Sequence, residues 1–161
     1  VDAVTEGAFQ LPDRAELRDE RWMDAFDLIG VQFAPPVSID ADGSFSPYPA
    51  DARADATGLA PHPEALPPLL HRVAEAVPGR SLAVSLLGVA TDDDDWRHEL
   101  LTAQVGFVRE AVDDGVPLVG AFFEPGIDGY EPATGFGAPR GLLDRDRRPK
   151  PSAQWLFDQL P

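Results

Sequence analysis

The hydrophobic positions between Leu82 and Glu131 predict a strand, a helix and a second strand in succession. The first strand is expected at 82–88, within LAVSLLGVA, and the second at 117–123, within VPLVGAFF, and both are continuous apolar runs. Between them, WRHELLTAQVGFVREAVDDG has the spacing of an amphipathic helix. Continuous apolar strands are typical of a parallel sheet covered by helices. We therefore expect both strands to be buried on both faces, with any chemistry at their carboxyl ends.

The same alternation of strands and helices extends to both sides of this unit. We expect the end of a helix at 1–10, a loop with a short helical turn at 11–22, a strand at 27–33, a long polar loop at 37–60, and helices at 63–77 and 151–160. The Pro35-Pro36 pair marks the end of the 27–33 strand, because proline cannot continue a ladder of hydrogen bonds.

Three parallel strands joined by right-handed crossovers cannot close a barrel and leave two strand edges unpaired. The sheet must therefore be completed by something else or belong to a small and atypical fold.

The composition limits the size of the domain and the kinds of partner that this protein can have. A chain of 161 residues with 43% hydrophobic residues can form a single domain with a substantial core. Its net charge of −15 disfavours nucleic acid and anionic membranes as partners, and no apolar run is long enough to span a bilayer. The absence of a charged-then-apolar opening segment favours a cytoplasmic location. The acidic bias has two open explanations, a high-salt cytoplasm and a GC-rich genome.

We expect neither a cofactor nor a metal ion. The chain has no cysteine, which excludes disulfides and thiolate metal sites. Its three histidines lack the spacing of metal ligands, and the glycine-rich segment 126–141 lacks the pattern of a phosphate-binding loop. The run Asp92–Asp95 has the composition of a metal site, but four consecutive carboxylates do not face one ion. We expect it to be a solvated turn that caps the following helix.

Five segments, taken in order, resemble the family 1 glycoside hydrolases, the β-glucosidase-like (β/α)8 barrels. They are DLIGVQF at 27–33, VSLLGVA at 84–90, DGVPLVG at 114–120, DGYEP at 128–132 and GLLDRDRRPKPSA at 141–153. The resemblance implies an α/β fold, a partial (β/α)8 TIM barrel of about strands 6 to 8, forming one C-terminal half-barrel domain over residues 1–161. It also implies a partner, namely an N-terminal half-barrel supplied by another chain or by a missing domain.

The resemblance also shows which catalytic parts are replaced. A retaining glycosidase uses two carboxyl groups about 5–5.5 Å apart. The family nucleophile, a glutamate, falls at Leu86, and the neighbouring asparagine falls at Leu87. Aromatic positions of the family's sugar site fall at Ala34, Glu124 and Pro132. Leu86 and Leu87 are by residue type ordinary core positions. Together, these replacements predict the loss of retaining glycosidase chemistry.

Other polar positions of the motifs are retained or nearly so, and they define the expected binding residues. The resemblance implies that a carbohydrate or glycoside-like molecule would be held by Glu131, with Gln32, Asp128 and Tyr130 as further candidates.

Glu124 is the candidate catalytic carboxylate, because it follows the last strand directly and adjoins Phe122 and Phe123. The alternative is an ion pair with a loop arginine such as Arg140. Pro125 stands where the resemblance places a residue after a cis peptide, so we expect Glu124–Pro125 to be cis.

Three hypotheses follow. In the first, the chain is part of a pseudoenzyme with a reshaped site. In the second, it is part of an active hydrolase or transferase that uses Glu124 or Glu131. In the third, it is a structural subunit that binds no ligand.

Overall fold

The computed structural model describes residues 2–46, 48–49, 51–131 and 134–159. The expectations for Pro132 and Leu160 lie outside the described residues. In chain order the elements are α1 (Asp2–Thr5), β1 (Ala8–Phe9), β2 (Leu17–Arg18), a 3-10 turn (Glu20–Trp22), β3 (Leu28–Gln32), β4 (Ser38–Ile39), β5 (Phe45–Ser46), a 3-10 turn (Pro63–Ala65), α2 (Leu66–Ala76), β6 (Ser81–Leu87), α3 (Asp94–Asp113), β7 (Leu118–Phe123) and α4 (Pro151–Phe157).

The central sheet has three parallel strands in the order β3-β6-β7. Leu28 pairs with Ser81 and Gln32 with Ser85 on one side of β6, while Leu82 pairs with Leu118 on the other. Each pair of parallel strands is connected by one helix, α2 or α3. The predicted arrangement of three parallel strands, with β3 and β7 at its edges, is therefore confirmed.

The hydrophobic core lies between one face of this sheet and the helices α2 and α3. Alternate residues of each strand point toward the helices, as the two-residue period of a strand requires. The core side chains are Val31, Phe33, Leu66, Leu70, Val77, Leu82, Val84, Leu87, Ala111 and Val116. Leu66, Leu70, Leu82, Val84 and Leu87 are fully buried. The core thus holds the three strands at a common level, which aligns their carboxyl ends.

The opposite face of the sheet is covered only at its centre. In β6 the burial is nearly complete, but Val119 and Phe122 in β7 are 67% and 55% exposed, and Leu28 in β3 is 47% exposed. The prediction that both apolar strands are buried on both faces is therefore wrong for β7. The reason is that Leu118, Ala121 and Phe123 of β7 pack against the core, whereas Val119 and Phe122 do not belong to it among the described residues.

The N-terminal part also departs from the expected helix. The helix α1 ends at Thr5, after which β1 and β2 form a two-stranded antiparallel hairpin, with Ala8 opposite Arg18. Gly7 adopts a positive φ of 63°, and a Cβ there would lie 2.9 Å from the Asp19 carbonyl oxygen. A side chain at this position would therefore clash with the backbone, so the hairpin depends on glycine.

The long loop at 37–60 contains local structure that the sequence prediction missed. The strands β4 and β5 form a short hairpin. Beyond it, Asp55 is only 9% exposed, and its carboxylate accepts hydrogen bonds from Thr57, from the Leu59 backbone and from the Ala90 backbone. These contacts attach the loop to the segment that follows β6.

The aspartate run caps α3, as predicted. Asp93 Oδ1 accepts a hydrogen bond of 3.0 Å from the Trp96 backbone N–H. Asp94 instead faces inward, where it pairs with Arg97 and accepts two hydrogen bonds of 2.8 Å from Ser152 in α4. Burial acts to raise the pKa of Asp94, but the hydrogen bonds from Ser152 and the charge of Arg97 outweigh it and lower the pKa. Asp94 thus joins the last helix to the start of α3.

Candidate functional site

The carboxyl ends of the three strands bring Gln32, Leu86 and Glu124 to the same edge of the sheet. Gln32 pairs with Ser85, next to Leu86, and the Glu124 backbone N–H donates to the Leu87 carbonyl at 3.0 Å. Adjacent strands lie about 4.8 Å apart, so the two edge strands end about 10 Å from each other across the sheet. The structure therefore places two of the predicted site residues on either side of the predicted nucleophile position.

Leu86 lies in an irregular part of β6. The pairing of β6 with β7 shifts between Val84 and Leu87, and Leu86 adopts a left-handed conformation with φ of 65°. Such a conformation costs roughly 1–2 kcal/mol for a residue with a side chain. Backbone strain of this kind is concentrated at functional positions. The end of β6 thus has a strained backbone of the kind found at functional positions, although the Leu86 side chain is apolar.

Leu86 is half-buried. It lines a cavity of about 10 Å³ together with Phe33, Pro35, Pro61, His62, Gly88 and Gln104. A cavity of that size holds about one water molecule. Gln104, which is 2% exposed, accepts a 3.0 Å hydrogen bond from the Gly88 backbone N–H through Oε1. The sequence analysis missed Gln104, because a glutamine on an amphipathic helix carries no signal of such a contact.

Glu124 is exposed, and its peptide bond to Pro125 is cis, as predicted. The described residues contain no ion pair between Glu124 and Arg140, nor any other basic partner within 4 Å of the Glu124 carboxylate. The alternative of a salt bridge is therefore not observed. The geometry leaves a free carboxylate at the end of β7.

The segment after β7, residues 124–150, is called here the β7–α4 loop, and a buried ion pair holds it in place. Lys150 Nζ lies 2.8 Å from Asp128 Oδ1 and 2.6 Å from the Gly141 carbonyl oxygen. The two side chains are 13% and 11% exposed. Asp128 Oδ1 also accepts a 2.7 Å hydrogen bond from the Gly141 backbone N–H. Burial lowers the pKa of Lys150, while the hydrogen bond to Asp128 acts in the opposite direction.

Through these contacts Asp128 holds the loop in position. Its predicted contact with a ligand stays a prediction. Lys150 was not among the predicted site residues, because its partner lies 22 positions away and only the folded loop brings the two together.

Tyr130 and Glu131 lie in the same loop, in a turn closed by backbone hydrogen bonds between Glu131 and Gly135 of 2.7 Å each. The Tyr130 ring is 67% exposed and packs edge-to-face against Phe136, with 5.5 Å between centroids. The Arg145 guanidinium lies over the Phe136 ring at 4.7 Å. An exposed aromatic ring beside a carboxylate is an arrangement that can contact a polar ligand with an apolar face.

The part of the chain that the structure describes contains neither a cluster of metal ligands nor a membrane-spanning helix. No three or more His, Asp and Glu side chains are placed to hold a metal ion. No helix there is both long enough and apolar enough to cross a membrane.

The chain is similar to known β-glucosidases and β-glycosidases, both in sequence and in fold. The β-glucosidase of Thermotoga maritima, solved in complex with glucoimidazole, is 26% identical and superposes with a TM-score of 0.74, over 85% of this chain and 35% of its own. A solved β-glycosidase, BGL167, is 29% identical with a TM-score of 0.74, over 82% of this chain and 32% of its own.

The thermostable β-glucosidase B of Thermobispora bispora is 29% identical over 157 residues, which cover 82% of this chain and 32% of that protein. The chain thus resembles, in sequence and in fold, a C-terminal portion of the family 1 β-glucosidases. It spans about a third of the length of the relatives that it matches. No family model matches the sequence.

In this barrel portion the open strand edges have a direct explanation. The similar structures are TIM barrels, in which eight parallel strands close on themselves and leave no edge. The three strands described here correspond to an open part of such a cylinder.

Proposed function

We propose that this chain forms the C-terminal portion of a family 1-like barrel that has lost retaining β-glycosidase chemistry and contributes to a reshaped site for a carbohydrate or glycoside-like molecule. The observation that carries the proposal is Leu86. It occupies the end of β6, where the motif VSLLGVA resembles the family's nucleophile motif, and its side chain cannot attack an anomeric carbon.

The proposal includes a partner that completes the barrel, namely an N-terminal half-barrel chain or domain. Among the described residues neither β3 nor β7 pairs with a second strand, so each forms an open edge of the sheet. Near β3, an apolar groove of about 350 Å³ is lined by Val4, Ile29, Leu69, Val73 and Val77, among others. A helix and strand from such a partner would cover this groove and pair with the open edge.

The ligand side of the proposal depends on the residues at the open end of the sheet. Gln32 is exposed at the end of β3, and Tyr130 and Glu131 lie in the β7–α4 loop. Their amide, phenol and carboxylate groups can hydrogen-bond to hydroxyls, while the Tyr130 ring can cover the C–H face of a sugar. The net charge of −15 and the exposed acidic surface support a neutral or small ligand rather than nucleic acid.

The experiment is a hydrolysis assay with aryl β-glycosides on the native assembly that contains this chain, followed by NMR analysis of any product for retention. We expect no retaining turnover above the uncatalysed rate. Intact mass and subunit composition of the same sample would identify the chain that completes the barrel. Retaining turnover by the unaltered assembly would refute the loss of function. Migration of the native species as a single 17.4 kDa chain would refute the partner.

A second candidate function is favoured by one observation, the free carboxylate of Glu124. In this case the assembly would be an active hydrolase or transferase, with Glu124 acting together with groups from the completing half. Glu124→Gln would then lower turnover by two orders of magnitude or more, whereas Glu75→Gln, on the exposed face of α2, would leave it unchanged. Equal turnover in both variants would exclude a catalytic role for Glu124.

A further inference from the structure

The hairpin of β1 and β2 encloses an apolar cavity that the proposed function does not use. Phe9 and Leu17 lie opposite each other on the two strands, and Leu11 and Ala15 of the connecting turn extend the wall. The cavity has a volume of about 440 Å³ and includes one charged side chain, that of Arg14. We call the cavity lined by these five residues the N-terminal cup. Small-molecule sites are concave and mostly apolar, with volumes of about 300–1,000 Å³ and a few polar groups that orient the ligand.

The apolar wall of the N-terminal cup is open to solvent. Phe9 is 45% exposed, Leu11 44% and Leu17 56%. Ala8, which precedes Phe9, is only 5% exposed, because successive residues of a strand point to opposite faces. The hairpin therefore packs one face against the chain and leaves the other face uncovered. Large apolar side chains that are exposed together mark places where a ligand or a partner binds.

Arg14 adds a positive charge without a counter-ion to this apolar wall. Its guanidinium forms no ion pair within the described part of the chain. The two carboxylates nearest to it in sequence are Asp13, which does not pair with it, and Glu16, which pairs with Arg18 at 2.8 Å. In a chain of net charge −15, this guanidinium remains available to an anionic group from outside.

The turn that forms the cup is held in shape by its own hydrogen bonds. The Arg14 backbone N–H donates to the Leu11 carbonyl at 3.2 Å, and the Gln10 side-chain amide donates to the Arg14 carbonyl at 3.2 Å. Between these contacts Asp13 adopts a left-handed conformation with φ of 59°, which aspartate tolerates better than most residues. Because the turn is already ordered, a ligand loses little binding free energy to ordering it.

We propose that the N-terminal cup binds a medium-chain aliphatic carboxylate, with its alkyl chain against the apolar wall and its carboxylate on Arg14. A guanidinium fork binds a carboxylate through two parallel charge-assisted hydrogen bonds. The volume lies in the lower part of the range for ligand sites, which favours a chain of moderate length over a full-length lipid. This site is separate from the proposed function, because none of its residues lies at the carboxyl ends of β3, β6 and β7.

The test is isothermal titration calorimetry of the full chain with octanoate, butyrate and 1-octanol at 0.15 M salt, where long-range attraction between charges is screened. Octanoate and octanol differ in charge, whereas octanoate and butyrate differ only in chain length. Full burial of one CH₂ group tightens binding about fourfold. Because the cup is open on one side, we expect octanoate to bind about tenfold more tightly than butyrate and about fivefold more tightly than octanol.

Four variants control the assignment. Arg14→Met should remove the preference for octanoate over octanol, and Arg14→Lys should retain part of it, since lysine keeps the charge but loses the fork. Leu17→Ser should weaken both ligands alike, because it removes part of the apolar wall. Arg109→Met changes the net charge equally at an exposed arginine of α3 and should leave all three affinities unchanged. Circular dichroism of each variant confirms that it is folded.

The proposal is overturned if octanol or butyrate binds as tightly as octanoate, or if Arg109→Met loses as much octanoate affinity as Arg14→Met. The titration is then repeated on the native assembly that contains this chain. Octanoate binding by the chain but not by the assembly would show that another subunit covers the cup, and this result would also overturn the proposal. The hydrolysis assay described above is independent of these outcomes, since it reports on the end of β6 and not on the hairpin.

Discussion

The buried pair of Lys150 and Asp128 provides the sharpest test of how the β7–α4 loop is held. In Lys150→Met, Asp128, whose side chain is 11% exposed in the unaltered chain, keeps only its hydrogen bond from Gly141. Breaking a buried ion pair costs about 3–5 kcal/mol. Because Asp128 retains one hydrogen bond in Lys150→Met, we expect a cost at the lower end of this range. The free energy of unfolding should fall by about 3 kcal/mol.

The assay is urea unfolding at pH 7, followed by tryptophan fluorescence. With a urea dependence of about 2 kcal/mol per M, the expected loss lowers the midpoint by about 1.5 M. Asp128→Asn keeps an acceptor for Gly141 and should cost about 2 kcal/mol, leaving Lys150 charged without its carboxylate. The double variant with Lys150→Met and Asp128→Asn should lose about 3 kcal/mol of unfolding free energy, less than the sum of the two single losses. Each single change already removes the same ion pair.

Arg148→Met is the matched control. Arg148 and Asp146 form an ion pair of 3.2 Å in the same loop, but their side chains are 75% and 69% exposed. An exposed pair contributes less than about 1 kcal/mol. The reasoning would be refuted if Lys150→Met unfolded at the same urea concentration as the control, or if the two single losses added fully in the double variant.

Three further predictions concern the segments around the site. Gly141→Ala should destabilise the chain by about 3 kcal/mol in urea unfolding, because its Cβ would lie 2.3 Å from the Asp128 nitrogen, while Gly126→Ala, with nothing within 4 Å, should change little. Asp55→Ala should cost about 2–3 kcal/mol, since four donors lose their acceptor, whereas the exposed Asp40→Ala should cost under about 0.5 kcal/mol. The carboxylate of Asp94 contributes stability that is fully present above its ordinary pKa of 3.8 and is lost as the pH falls through its lowered pKa in the folded state. Lowering the pH should therefore destabilise the unaltered chain more steeply than Asp94→Asn in urea unfolding. Equal slopes in the two proteins would contradict this assignment.

The main helices and strands followed closely from the sequence. The expected strands at 27–33, 82–88 and 117–123 match β3, β6 and β7 within one or two residues. Their apolar runs and the helical spacing between them are local signals, because a strand or helix buries one face whatever its neighbours are. The short hairpins at the N-terminus and in the 37–60 loop were missed, since strands of two residues carry no detectable period.

The candidate site was predictable only in part. The motifs located Leu86 and Glu124 at the carboxyl ends of strands and Glu131 in the loop that follows β7, because strand direction follows from the order of elements. They could not show that Asp128 is engaged by Lys150. Charged side chains in a glycine-rich loop have many sterically allowed partners, and the sequence does not choose among them.

From the sequence by itself came the parallel three-stranded arrangement, its open edges and the apolar residue at the expected nucleophile position. Periodicity and residue type determine the strands and their edges, and both are properties of short stretches of chain. The nucleophile position followed instead from the resemblance to the family motif. Only the tertiary structure decided that β7 leaves Val119 and Phe122 exposed, that Leu86 has a left-handed backbone, and that Lys150 pairs with Asp128. Such features depend on which distant segments meet in space, and that is determined by the packing of the whole chain.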